Sequence, residues 1–218
     1  MSELRDVIIV SAKRTPVGSF QGVLSSISAP QLGSTVIKAL LEETQIDPVS
    51  VDEVIMGNVL SAGQGQAPAR QAALGAGLPN SVECLTINKM CGSGLKAIML
   101  GAQAIQTGDA DIVIAGGMEN MSQAPYLLPK GRDGHRLGHG QVIDSMIKDG
   151  LWDAYNDKHM GNYAEMCAEG KKYSREDQDA FAKTSYSRAQ SAQENGAFSN
   201  EIAPVSVPQR KGDPKIVN

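Results

Sequence analysis

The stretch Ile87-Asn88-Lys89-Met90-Cys91-Gly92-Ser93-Gly94-Leu95-Lys96-Ala97 puts one cysteine between a strand-like run and a glycine-flanked helix start. Unsatisfied N–H groups and the positive end of the dipole at a helix N-terminus favour an anion. A thiol pKa, ordinarily about 8.5, falls at such positions, and the thiolate is the nucleophilic species. Gly92 and Gly94 allow a tight strand-to-helix turn and let a substrate approach the backbone. A nucleophile on that turn, with its own N–H facing a developing oxyanion, is a layout for acyl transfer. The competing reading is packing, because free cysteine is among the most buried residue types. Layout alone leaves both open for Cys91. Cys84, opening a core-like strand, and Cys167, inside a helical run, read as packing residues.

Positioning that cysteine requires a sheet and helices around it. From Asp6 to Gly117 short β-branched runs alternate with longer helical patterns: VIIV at Val7, EVIMGNV from Glu53, CLTINKM from Cys84 and DIVIAGG from Asp111. Helices are predicted over 30–44, 68–75 and 92–107. In the third, Leu95, Ile98, Met99, Ala102 and Ile105 recur at helical spacing while Ala97, Gly101 and Ala104 keep the other faces small, which predicts burial on most sides. The rhythm βαβαβαβ with continuous apolar strands predicts an α/β fold, a mostly parallel sheet covered by helices. From Met118 to Lys158 the rhythm stops, leaving a long excursion with one short helical run, VIDSMIKDG. Two helices follow, the second opened by Ser174 with Asp177 and closed by Gly196. The last segment reads as a strand, a turn at Lys211 to Pro214, and a second run.

Composition narrows the function. A formal net charge of -4 with no basic stripe argues against nucleic acid. The longest N-terminal apolar run, Val7 to Val10, is too short for a signal segment or a membrane span. Three cysteines, an odd number without a secretory signal, suit free thiols in a reducing, cytoplasmic setting. His135 and His139 stand four apart, a helical metal spacing, but the glycines of GRDGHRLGHG argue against a helix, so no metal is expected.

INKMCGSGLKA followed by ADIVIAGGMENMS resembles the thiolase family of acyl-CoA acetyltransferases. The segments IVSAKRTPVGSFQG, VIMGNVLSAGQGQAPARQAAL and IKDGLWDAYNDKHMGNYAEM, then SREDQDAFA, are similar to that family in the same order, so the resemblance covers essentially all 218 residues. It implies a thiolase-like fold half over 1–120 and a mainly helical loop domain over 121–218 that covers bound coenzyme A. Cys91 would be the nucleophile that accepts an acyl group from one acyl-CoA before a second acetyl-CoA condenses with it. Leu151, His159 and Met160 would line the pantetheine tunnel and acyl pocket. A histidine just before a helix can equally be a plain cap. Coenzyme A thioesters enter as substrates, so the resemblance implies no cofactor. It also implies a homo-oligomer, dimer or tetramer, with GRDGHRLGHG as the assembly loop.

The family pattern has a C-terminal half that this sequence lacks, together with the Gly-His-Pro histidine, the second cysteine and an Asn-containing oxyanion motif. A truncated or nicked chain that meets a complementary C-terminal half is the favoured expectation, and condensation by this chain alone is not expected, because removing a proton beside the thioester carbonyl needs a positioned base. Two alternatives stand beside it: a non-catalytic CoA-binding or subunit-interface fragment, and a ketoacyl synthase, against which IKDGLWDAYNDKHMG argues.

Overall fold

In the computed structural model residues 4–218 are described; the first three residues of the 1–120 span lie outside the described residues. Helix α1 (Ala29–Thr44) starts where Ser28 and Gln31 exchange side-chain and backbone hydrogen bonds as a capping box, with Pro30 in its first turn. It leads to β1 (Glu53–Gly57), α2 (Pro68–Gly75), β2 (Glu83–Ile87), α3 (Ser93–Thr107) and β3 (Val113–Gly117). The three strands form a parallel sheet in the order β2-β1-β3, with Val54 beside Cys84 and Ile114, and Ile55 beside Leu85 and Ala115. Strand alternation then sorts the faces. Val54, Met56 and Ile114 join Ile37, Val82 and the alanines of α2, Ala69, Ala72 and Ala73, in the main core. Val113 and Ala115 point to the other face, where α3 lies so close that a methyl group on Gly101 would sit 2.9 Å from the Val113 side chain.

That closeness corrects the expectation for α3. The helix buries only Ser93, Ala97 and Gly101, and its large residues Leu95, Ile98 and Met99 face outward, 66%, 45% and 49% exposed. Small residues turn inward because only they permit the short helix-to-sheet distance. The run Val7 to Val10 also departs from expectation: it forms no strand, and Ile8 and Ile9 are each 78% exposed. A strand needs a ladder, and the ends of this run are tied elsewhere. The Arg5 N–H reaches the Gln106 carbonyl, and Arg14 exchanges backbone hydrogen bonds with Glu201 and Ala203.

After β3 come two short antiparallel pairs, β4 (Tyr126–Leu127) with β5 (Ile143–Asp144) and β6 (Trp152–Asp153) with β7 (Lys158–His159). Between them the predicted helical run is a single π-helical turn, Met146–Leu151. Helices α4 (Met160–Lys171) and α5 (Arg175–Glu194) follow, the latter capped by Ser174 and Asp177 as expected, with Gly196 at φ 68° just past its end. The terminal pair β8 (Val205–Val207) and β9 (Lys215–Val217) is the strand, turn and second run read from the sequence. Val205 and Val207 share a second core with Leu24, Ile27 and Leu32.

Candidate active site

The turn between β2 and α3 is closed by four residues of one short motif. The Asn88 carboxamide oxygen accepts the Met90 N–H at 2.9 Å. Met90 takes a left-handed φ of 48°, a conformation that costs a long side chain energy and recurs at functional turns. The Ser93 hydroxyl, on a buried residue, accepts the Lys89 N–H at 2.8 Å and donates to the Met90 carbonyl at 2.6 Å. This double hydrogen bond holds Cys91 at the surface, where its exposed side chain lines a cavity of about 380 Å³ with Asn58, Val59, Met90, Met118 and Glu119.

Two expectations about this turn change. The N-cap of α3 is Gly92, so Cys91 stands one residue further out than a capping side chain would, and among the described residues no hydrogen bond reaches its sulfur. Gly92 has φ -96°, available to any residue, so the turn does not demand glycine there. The glycines that matter lie beneath. A methyl group on Gly57 would come within 2.6 Å of the Ser93 Cβ and 2.8 Å of the Gly94 nitrogen, and one on Gly117 within 3.3 Å of the Gly94 Cα. The ends of β1 and β3 thus touch the first turn of α3 backbone to backbone.

Glu119 and Asn58 were not singled out by sequence. Asn58 Nδ2 donates to the Met118 carbonyl at 3.2 Å and to Glu119 Oε1 at 2.8 Å, while the Val59 and Leu60 N–H groups donate to Glu119 at 2.8 and 3.2 Å. Burial pushes the Glu119 carboxyl above its ordinary value, and the two backbone donors pull the other way. Asn58 Oδ1 is buried without a partner among the described residues, a cost of roughly 1–3 kcal/mol that natural folds seldom leave in place. The usable signal is positional: an acidic residue two positions past the end of an apolar strand.

The three proposed pocket residues lie together but outside the Cys91 cavity. Leu151 ends the π-helical turn, and Trp152, next to it, pairs with His159 across β6 and β7. His159 is the N-cap of α4: its Nδ1 accepts the Gly161 N–H at 3.0 Å, so the ring proton sits on Nε2, and the Asn162 side chain accepts the His159 N–H. Met160 follows, 42% exposed. The π-helical turn packs near Leu60, the neighbour of the cavity-lining Val59, through Gly150, where a methyl group would lie 3.4 Å from the Leu60 side chain. Of the other cysteines, Cys84 packs against the main core, and burial pushes its thiol up against the pull of Arg70. Cys167 corrects the packing expectation, because α4 buries none of its residues and the thiol is exposed.

Asp153 fastens this hairpin to α4. It accepts hydrogen bonds from the Tyr163 hydroxyl, the Asn156 side chain and the Tyr155 N–H, which together hold its carboxyl down to about 2. A depressed carboxylate stabilises the fold above its unfolded value, about 3.9, and that contribution disappears as pH falls through the folded value. A carboxyl-carbon NMR titration of Asp153 should therefore show a midpoint near 2; a midpoint at the ordinary value would mean these hydrogen bonds do not persist in solution.

The N-terminal domain model of the thiolases matches residues 7–218. The chain is 60% identical over 211 residues to an acetyl-CoA acetyltransferase of Pseudomonas aeruginosa, covering 97% of this chain and 54% of that protein. It is 59% identical over the same length to an acetyl-CoA acetyltransferase of Cupriavidus necator, again 97% and 54%. Against acetyl-CoA acetyltransferase 2 of Arabidopsis thaliana it is 55% identical over 213 residues, 98% of this chain and 53% of the relative. The chain spans about half the length of these curated relatives.

Proposed function

The chain belongs to the thiolase family, and from that premise we propose that it supplies the acyl-accepting nucleophile of an acetyl-CoA acetyltransferase. The observation that carries this reading is an exposed Cys91 on the wall of a cavity, one residue before the N-cap of a fifteen-residue helix. The Cys91 thiolate adds to the thioester carbonyl carbon of acetyl-CoA, and the oxyanion that forms meets the positive end of the α3 dipole. The bond from carbon to the coenzyme A sulfur then breaks, leaving acetyl-cysteine and a coenzyme A thiolate that takes up a proton. In the second stage a base removes a proton from the methyl of another acetyl-CoA. The carbanion attacks the acetyl-cysteine carbonyl, and a carbon–carbon bond forms as the Cys91 sulfur leaves, giving acetoacetyl-CoA. The reverse sequence is thiolysis.

No described histidine lines the cavity, so the base of the second stage comes from a complementary C-terminal half. The outward apolar face of α3 supports a covering segment, since contiguous exposed apolar surface marks a contact region. Residues 121–218 act as the loop domain, with Leu151, Met160 and the Nε2 side of His159 against the pantetheine and acyl groups. The exposed loop over 131–140 serves homo-oligomer assembly, dimer or tetramer, with Leu137 99% exposed. The reading needs no cofactor beyond the coenzyme A thioesters themselves. No described helix is long and apolar enough to cross a membrane, and a cytoplasmic location is part of the proposal.

Incubation with acetyl-CoA followed by peptide mapping tests the first stage. An acetyl increment on the Cys91 peptide is expected. Its absence from folded protein whose Cys91 still reacts with iodoacetamide would favour the non-catalytic alternative.

A further inference from the structure

The strand ends beneath Cys91 are held by a single carboxylate. Oε1 of Glu119 takes the Asn58 side-chain amide and the Leu60 N–H, and Oε2 takes the Val59 N–H, so three donors from the segment after β1 converge on one residue after β3. Next to this clasp the Met118 N–H donates to the Gly57 carbonyl at 2.9 Å. Gly57 and Gly117, the last residues of those strands, are in turn the two that press on Ser93 and Gly94. A continuous line of contacts therefore runs from Glu119 through the strand ends to the first turn of α3, which begins two residues after Cys91.

We propose that Glu119 is a positioning residue for Cys91, clamping the ends of β1 and β3 so that the first turn of α3 and the facing cavity wall keep the geometry that acyl transfer to the sulfur requires. The inference rests on the reading of Cys91 as acyl acceptor. Three N–H donors at one carboxylate are matched only by an acceptor on both oxygens. Glu119→Gln keeps one oxygen and turns an NH₂ group on at least one donor; Glu119→Ala removes all three hydrogen bonds. Acyl transfer depends on alignment of the attacking atom, and a displacement of about 1 Å can cost on the order of a hundredfold. Alkylation by a small, freely tumbling reagent is far less demanding.

The test compares the chain with Glu119→Gln and Glu119→Ala, each with its thermal melt recorded, in two reactions of Cys91. One is acetylation over a range of acetyl-CoA concentrations, which separates the limiting rate from half-saturation; the other is alkylation by iodoacetamide. Expected is a fall of at least about tenfold in the limiting acetylation rate for the alanine variant, with glutamine between, little change in half-saturation, and alkylation within about threefold. Variants that melt earlier yet acetylate at the unmodified rate would make Glu119 merely structural and overturn the inference alone. Loss of the cooperative melt in both variants would overturn it too, by making the residue a folding determinant. An unmodified chain that is alkylated at Cys91 but never acetylated would overturn the acyl-acceptor reading, and the inference with it.

Discussion

Replacing Cys91 by serine is expected to lower acetyl capture from acetyl-CoA by at least about a thousandfold, and replacing it by alanine to abolish it. The reason is the state of the nucleophile. A thiol is a few per cent ionised near neutrality and strongly nucleophilic even then, whereas a serine hydroxyl attacks only with a base alongside. No described histidine lines the Cys91 cavity, so among the described residues the serine variant would have no imidazole there to help it. The fold should not suffer. Cys91 is exposed and makes no hydrogen bond through its sulfur among the described residues, so the change in stability should stay within about 0.5 kcal/mol. Quench-flow mass spectrometry of the acetyl adduct, with a melt as control, checks both halves of the statement. Adduct formation by the serine variant at a tenth of the parent rate or faster would place the nucleophile elsewhere.

The second large effect is on stability. Gly57→Ala should destabilise the chain by about 2–3 kcal/mol, because the new methyl group meets the Ser93 Cβ at 2.6 Å and the Ser93 carbonyl carbon at 2.7 Å. Backbone cannot swing aside as a flexible side chain can, so either β1 or the first turn of α3 must move. Gly92→Ala is the matched control. That residue has an ordinary φ, and its nearest contact would be 3.5 Å away, so its melting temperature should hold within a degree or two. At roughly 2–4 °C per kcal/mol for a chain of this size, calorimetry separates the two variants easily. Equal melting temperatures would show that strand and helix do not touch as described. Because the displaced first turn of α3 begins two residues after Cys91, Gly57→Ala should also slow acetylation at temperatures where it remains folded.

Both effects come from one short stretch and the strand ends below it, and they divide differently between sequence and structure. The position of the proposed nucleophile was legible because its setting is local. A strand-like run, a cysteine and a helix start within eleven residues define a turn whatever surrounds it, and family resemblance across several ordered segments gave that turn a chemistry. The helices over 30–44 and 68–75, and the capping of α5, were readable for the same reason: caps, prolines and apolar spacing act within a few residues.

The terminal pair of strands was local as well, but its partners were not. Val205 and Val207 pack on Leu24, Ile27 and Leu32, more than 170 residues earlier. Nothing in the spacing of either segment announces the other, because side chains far apart in the chain meet only when intervening elements bring them there. The fate of Val7 to Val10 shows the converse. Its composition suits a strand, yet a strand also needs a neighbour with free N–H and C=O groups, and the ties at Arg5 and Arg14 lead this run elsewhere.

What the amino-acid sequence determined by itself was the alternating α/β plan and the cysteine at a strand-to-helix turn, since both follow from periodicity and short-range backbone chemistry. Only the tertiary structure decided that small residues turn α3 toward the sheet, that Gly57 and Gly117 bear on its first turn, and that Glu119 clasps the segment after β1. The Glu119 contacts join residues some sixty positions apart, such as Asn58 and Glu119, and two parallel strands bring their ends together only once the sheet has set their register.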